Sequence, residues 1–190
     1  RYDGVSIRTF KHDPADSNSL SSSDIKRVYE DENGILWIAA SNGLNRFDPK
    51  SEQFTRYSFE EQGGNAWVIR ILAEGDSILW LGTMNGLVRF NKNSGEYEKY
   101  FWHDQQGENT TTRNLFWALA RLDDGCLVLG TGGNDFVKFD PVSQQFSELP
   151  NILSGKNWGA GFCALRDSHG LVWLGMARTG TIGGHGSGDI

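Results

Sequence analysis

The side chains best suited to holding a ligand are three tryptophans, Trp67, Trp117 and Trp158. Each has a side-chain amide close by, in Asn65, Asn114 and Asn157, and Arg113 stands next to the second amide. An indole face stacks on the flat CH surface of a sugar, and amide and guanidinium groups bond hydroxyls, so the set suits a glycan or another small polar molecule. The competing reading is that the rings only pack between neighbouring sheets. Covalent chemistry has no comparable support. The sequence contains no G-x-S-x-G elbow, H-E-x-x-H or P-loop, and no catalytic residue, cofactor or metal ligand is expected. Cys126 and Cys163 lack zinc-site spacing and read as reduced thiols on buried strands; a disulfide between them would need Cα atoms within about 7 Å.

What must position the tryptophans is a unit written four times. D-E-N-G-I-L-W-I-A-A-S-N-G-L-N-R-F-D runs from Asp31 to Asp48, and G-D-S-I-L-W-L-G-T-M-N-G-L-V-R-F-N from Gly75 to Asn91. D-D-G-C-L-V-L-G-T-G-G-N-D-F-V-K-F-D follows from Asp123 to Asp140, and D-S-H-G-L-V-W-L-G-M begins at Asp167. Equivalent residues Trp37, Trp80, Val128 and Trp173 are 43, 48 and 45 positions apart. A period of that length, built of several short strands, indicates propeller blades rather than helical solenoids. Arg1-Tyr2-Asp3 lies 45 positions before Arg46-Phe47-Asp48, so the first residues belong to the same register.

Within the second copy four strands are predicted, at 67–73, 78–82, 86–90 and 96–102, here called a to d from the centre outward. Strands a and b are apolar at consecutive positions, which requires cover on both faces. Strand d alternates aromatic with charged residues, as an outer edge strand should. Asp or Asn with Gly marks the a–b and b–c turns, and the Trp slot is a wedge between blades, lost only at Val128. Arg27 and Arg70 share a slot in the middle of strand a, held by Ala118 and Cys163 in the other copies. They either line the channel and bind an anion or pair internally with Glu30, Glu74 or a backbone carbonyl, and internal pairing is expected. His12 and His103 hold equivalent strand ends about two blades apart, His169 lies in a turn and His185 in a glycine-rich stretch, so a shared metal site is not expected.

The string Ile25-x-x-Val28-x-x-Asp31-x-x-Gly34-x-x-Trp37-Ile38-x-x-x-x-Gly43-Leu44-x-Arg46-Phe47-Asp48 closely resembles the two-component regulator propeller repeat. Arg1 to Pro14, followed by Asn18-Ser19-Leu20-Ser21, resembles the segment between such repeats, and the likeness extends over about residues 1–178. The resemblance implies a periplasmic sensor region of a bacterial membrane protein such as a hybrid histidine kinase or diguanylate cyclase, often responsive to carbohydrates. Members usually carry many more repeats, and the pattern breaks after Trp173-Leu174-Gly175.

The expected fold is therefore all-β, a partial propeller of about four four-stranded antiparallel blades. Whole blades are placed at about 24–59, 66–102 and 114–149, a split blade joins 1–12 with 158–178, and 179–190 forms a glycine-rich tail. An open arc would expose apolar strands at each end, so self-association is expected. Eighteen basic and 24 acidic residues, net charge −6, with no basic run, argue against a nucleic-acid partner. No stretch of 18 apolar residues and no signal pattern occurs, so any membrane attachment of a periplasmic parent would come from segments outside this sequence. The functional expectation is a non-catalytic, extracytoplasmic ligand-sensing region with a small-molecule or glycan ligand bound where the d–a and b–c connections emerge. The alternatives are a propeller lyase resembling the streptogramin-lyase group, and a protein–protein scaffold.

Overall fold

The computed structural model describes residues 1–2, 4–59, 67–102, 114–133, 136–149 and 158–178. Three four-stranded antiparallel sheets follow one another. The first is β1 (Ile25–Glu30), β2 (Leu36–Ala40), β3 (Gly43–Asp48) and β4 (Gln53–Tyr57). The second is β5 (Val68–Glu74), β6 (Ile78–Thr83), β7 (Gly86–Asn91) and β8 (Tyr97–Tyr100). The third is β9 (Phe116–Arg121), β10 (Leu127–Thr131), β11 (Phe136–Asp140) and β12 (Gln145–Glu148). A two-stranded sheet, β13 (Trp158–Arg166) with β14 (Val172–Arg178), comes last. No helix occurs among the described residues. The inner strands of successive sheets touch, β1 and β2 on β5, β5 and β6 on β9, β9 and β10 on β13, so the sheets are consecutive blades with strand a innermost.

The apolar b strands explain this stacking. Leu127 to Thr131 are all buried, because β10 is covered on both faces by its neighbours. One cluster between blades 1 and 2 gathers Trp37, Leu44, Phe59, Val68, Leu81 and Phe90, and another between blades 2 and 3 gathers Trp80, Phe116, Leu119, Leu129 and Phe139. Each such side chain removed from water stabilises the stack by roughly 1.5–3 kcal/mol before entropy is counted. The expected alternation of strand d is present in β4, where Phe54 is buried while Gln53 and Thr55 are exposed.

Two devices set the distance between blades. The first is a register shift in every a strand at one slot, Lys26, Ile69, Trp117 and Phe162, where the a–b ladder skips a residue. A bulge repeated at one place bends the strand locally and re-aims its side chains. Facing the shift on the preceding blade is a small residue. A Cβ on Gly82 would stand 2.8 Å from the Phe116 carbonyl oxygen, and one on Gly130 would overlap the Gly161 carbonyl oxygen.

The second device is an acid six residues before each wedge tryptophan. The indole Nε1–H of Trp37 donates to Asp31 Oδ2 at 2.8 Å, that of Trp80 to Glu74 Oε2 at 2.5 Å, and that of Trp173 to Asp167 Oδ2 at 2.8 Å. Where the tryptophan becomes Val128, the acid becomes Leu122, so donor and acceptor are lost together. Ion pairs from each blade to the one before it line the same face: Lys92 with Asp31 and Glu32 at 3.6 Å, Arg121 with Glu74 at 2.7 Å, and Arg166 with Asp123.

The ends of the arc differ from its middle. Residues 1–8 form a short hairpin in which Tyr2 bridges Ile7, Arg8 N donates to Arg1 O at 2.9 Å, and the Arg1 amino terminus donates to Arg8 O at 2.8 Å. This corresponds to the end of a c strand and a d strand, as the register implied, and among the described residues no bridge joins it to β14, which pairs there with β13. The hairpin lies instead against the outer half of blade 1, through the Arg8–Glu52 ion pair and the Phe10 ring 5.0 Å from Phe47. Cys163 was expected on a buried strand and is exposed, because no further sheet among the described residues packs on β13 and β14; Cys126 is buried, and both thiols are free.

Candidate functional site

The d–a and b–c connections share one face, knitted by backbone and side-chain bonds. Ser41 N donates to Asp24 O at 3.1 Å, Asn42 Nδ2 to Ser21 O at 3.1 Å, Met84 N to Trp67 O at 3.1 Å and Gly132 N to Leu115 O at 2.9 Å. Gly86 N donates to Asn114 O at 2.7 Å, tying blade 2 to blade 3. The shifted slot of each a strand lies at this end.

The tryptophans named from the sequence sit there as well. Trp67 is half-buried and carries Lys26 Nζ 4.5 Å from its ring centre, a cation–π contact that links blade 1 to blade 2. Trp117 is half-buried and packs on Phe162 at 5.6 Å between ring centres, linking blade 3 to blade 4. Trp158 begins β13, pairing with Arg178. Asn114 is 1 % exposed and its Oδ1 accepts from Trp102 N at 2.8 Å, so this amide oxygen is engaged in holding the connection into blade 3. Asn65, Asn157 and Arg113 lie outside the described residues. The sequence reading missed Lys26 and Phe162. Their signal was the slot one residue before Arg27, Arg70, Ala118 and Cys163, which is visible only once the repeats are aligned on strand a.

Deeper along strand a, Arg70 donates from Nη1 to Ile69 O at 3.1 Å and from Nη2 to Phe162 O at 2.9 Å, reaching from blade 2 to blade 4. This is the backbone-carbonyl pairing expected for it. Burial lowers its pKa from the usual arginine value, and the like charge of Arg27 adds to the effect. Arg27 itself is exposed. The wall below the mouth is therefore cationic, with two guanidiniums close enough to feel one another.

A cleft of about 540 Å³ opens on the opposite face, between the turns of blades 1 and 2, lined by Asp31, Asn33, Arg46, Asp48, Asp76 and Lys92 among others. Its polar groups are largely occupied by the fold. Asp31 accepts from Trp37, Asn33 and Ile35, and Asp48 caps its own turn through Lys50 N at 2.9 Å, whereas the Lys92 ammonium, on a side chain 5 % exposed, has only the 3.6 Å ion pairs to Asp31 and Glu32 and no hydrogen bond among the described residues. Burial pushes the Asp31 pKa up, but the bonds from Trp37, Ile35 and Asn33 and the charge of Lys92 outweigh it and hold the carboxyl below its ordinary value. Among the described residues no group of three His, Cys, Asp or Glu side chains is arranged to hold a metal ion, and no helix is long and apolar enough to cross a membrane.

A chain of successive four-stranded antiparallel sheets with a innermost and d outermost belongs to the β-propeller class. Residues 19–42 match the model of the family described as two component regulator propeller. The extracellular domain of a B. thetaiotaomicron protein, BT4673, described as a hybrid two component system, superposes with TM-score 0.67 at 20 % identity. That match covers 84 % of this chain and 21 % of the other. The corresponding domain of BT3049 from the same organism gives 0.66 at 16 % identity, over 89 % of this chain and 21 % of that one. A streptogramin B lyase gives 0.62 at 16 % identity, over 85 % and 51 %. The chain thus spans about one fifth of the length of the extracellular domains it resembles. No curated protein sequence matches it.

Proposed function

We propose that this chain is part of the extracytoplasmic, ligand-sensing propeller of a bacterial two-component-type receptor. It carries no reaction of its own; it binds a small molecule or glycan at the mouth formed by the d–a and b–c connections. One observation supports this reading above the others. At that mouth the inter-blade contacts are made by partly exposed aromatic and cationic side chains, Lys26 on Trp67 and Trp117 on Phe162, where apolar packing alone would have sufficed. A ligand that stacks on Trp67 or Trp117 touches two blades at once, so binding biases how those blades pack, and such a bias is what a receptor passes to an output module. The cationic wall of Arg27 and Arg70 favours a ligand bearing a carboxylate or sulfate on a polyhydroxylated frame.

A thermal-shift screen of the chain against neutral and acidic oligosaccharides tests the proposal. The expected result is stabilisation by an acidic member of the panel that Trp67→Ala or Trp117→Ala abolishes. If no member of either group shifts the transition, or if the shift survives both substitutions, the mouth is not the ligand site.

A further inference from the structure

The cleft between blades 1 and 2, on the face opposite the mouth, holds a charge that the fold does not use. Lys92 follows β7 and lines this cleft, with its side chain 5 % exposed and its Nζ making no hydrogen bond among the described residues. The carboxylate oxygens beside it, Asp31 Oδ2 and Glu32 Oε1, both stand at 3.6 Å, too far for an N–H···O bond. Burying an ammonium with three idle donors is costly. The repeat does not ask for it either. Counted two residues beyond the c-strand aromatics Phe47, Phe90 and Phe139, the slot is Pro49 in blade 1, Lys92 in blade 2 and Pro141 in blade 3.

Arg46 brings a second cation to the same cleft. It stands opposite Trp37 in the β2–β3 register, so its side chain leaves blade 1 on the face that meets blade 2. The residue is half-buried, and its guanidinium makes no hydrogen bond or ion pair with a described residue. The acids are differently placed. Asp31 accepts three N–H donors and Asp48 caps its own turn, so both are fixed by blade 1. Asp76, Asn33 and Asn93 are exposed at the rim. The unused capacity inside is therefore for accepting groups on a ligand, and the rim can meet hydroxyls from either side of a hydrogen bond. Three acids and three cations line the cleft, a balance that suits one negative charge better than the nearly two of a phosphate. Its volume of about 540 Å³ lies within the range of small-molecule sites, roughly 300–1,000 Å³.

We propose that this cleft is a second binding site, separate from the mouth, for a small hydroxy carboxylate of the sugar-acid class. Lys92 and Arg46 take the carboxylate, the flexible four-carbon stem of Lys92 turning its ammonium onto it, and Asp76, Asn33 and Asn93 meet the hydroxyls. Because Asn33 and Arg46 belong to blade 1 and Asp76, Lys92 and Asn93 to blade 2, the ligand bridges two blades. The inference rests on the cleft alone and is independent of what the mouth binds.

Proton–nitrogen correlation NMR of the indole N–H groups tests it, because Trp37 lines the cleft whereas Trp67 and Trp117 stand at the mouth. Trp37 Nε1–H bonds the same Asp31 oxygen that faces Lys92, so a carboxylate reaching the ammonium moves its signal. D-glucuronate is titrated in parallel with D-glucose, which carries a hydroxymethyl group in place of the carboxylate. The expected result is a saturable shift of the Trp37 signal with glucuronate and a response at least about tenfold weaker with glucose, the worth of one charge-assisted hydrogen bond. Lys92→Met and Arg46→Gln should each weaken glucuronate binding by a similar factor, about tenfold or more. Arg46→Gln leaves the Lys92 ion pairs in place, so it decides the matter if Lys92→Met fails to fold by circular dichroism. A Trp37 signal indifferent to glucuronate, an equal response to glucose, or binding that survives Arg46→Gln overturns the proposal. Shifts confined to Trp67 and Trp117 would also overturn it, while leaving the mouth as the ligand site.

Discussion

Replacing Asp31 by alanine should cost far more stability than replacing Asp167, although the two carboxylates make the same bonds. Each accepts an indole Nε1–H at 2.8 Å, from Trp37 and Trp173 respectively, and two backbone N–H groups of its own turn at 2.9–3.1 Å. What differs is the surroundings. Trp37 is 2 % exposed and Trp173 62 %, and only Asp31 stands next to a buried ammonium, Lys92, whose side chain is 5 % exposed. Asp31→Ala strands the Trp37 donor away from water and removes half of a buried ion pair, whereas water replaces every bond that Asp167→Ala deletes. Stranding one buried donor costs about 1–3 kcal/mol and breaking a buried pair from one side about 3–5 kcal/mol. Since Glu32 stays near Lys92, the expected total is about 3–5 kcal/mol. Urea unfolding at neutral pH measures it, with Asp167→Ala as the control expected to be much smaller. The pH dependence carries the sign. The folded-state pKa of Asp31 lies below its ordinary 3.8, so its contribution is fully present above about pH 4 and is lost as pH falls through the folded value. The gap between wild type and Asp31→Ala should therefore narrow in acid. Equal losses for the two variants, or a gap that widens in acid, would refute the argument that burial sets the strength of this clasp.

Further outcomes follow from the same geometry. Gly130→Ala should destabilise by about 1–3 kcal/mol in chemical denaturation, because its Cβ would overlap the Gly161 carbonyl oxygen and sit 2.9 Å from Ala118 Cβ; a neutral result would mean that blades 3 and 4 are not in contact there. Arg70→Met should raise amide exchange in β13, since Phe162 O loses its donor, and unchanged exchange would contradict the contact across the channel. Tyr100, whose pKa burial and the Glu98 carboxylate push up to about 12, should ionise later than the ordinary value of 10.0 in a spectrophotometric titration of the five tyrosines. A single step near pH 10 for all five would contradict that placement.

The sequence carried much of this in its spacing. A 43–48-residue period, Asp/Asn–Gly turns and consecutive apolar residues in strands a and b specify blades in order, and the strands lie within a residue or two of their expected bounds. The acid–tryptophan clasp was missed, although it leaves a trace in the repeats: Leu122 and Val128 change together while the other three copies keep both partners. Two other things were not legible. A one-residue shift in a ladder leaves no mark on composition, so the bulge at the slot of Lys26, Trp117 and Phe162 emerged only from the pairing of β1, β9 and β13 with their neighbours. The exposure of Cys163 was missed because apolar runs report that a strand expects cover on both faces, not whether a neighbour is present to give it.

The fanned arrangement of the blades underlies every other statement, and distances between paired spin labels test it directly. In a background lacking native cysteines, one pair is placed at Glu32 and Asp123, in the inner a–b turns of blades 1 and 3, and another at Ser51 and Ser143, in the outer c–d turns of the same blades. Sheets radiating from an axis require the Ser51–Ser143 distance to exceed the Glu32–Asp123 distance clearly. Equal distances would mean that the sheets lie in parallel layers, and the propeller reading would be wrong.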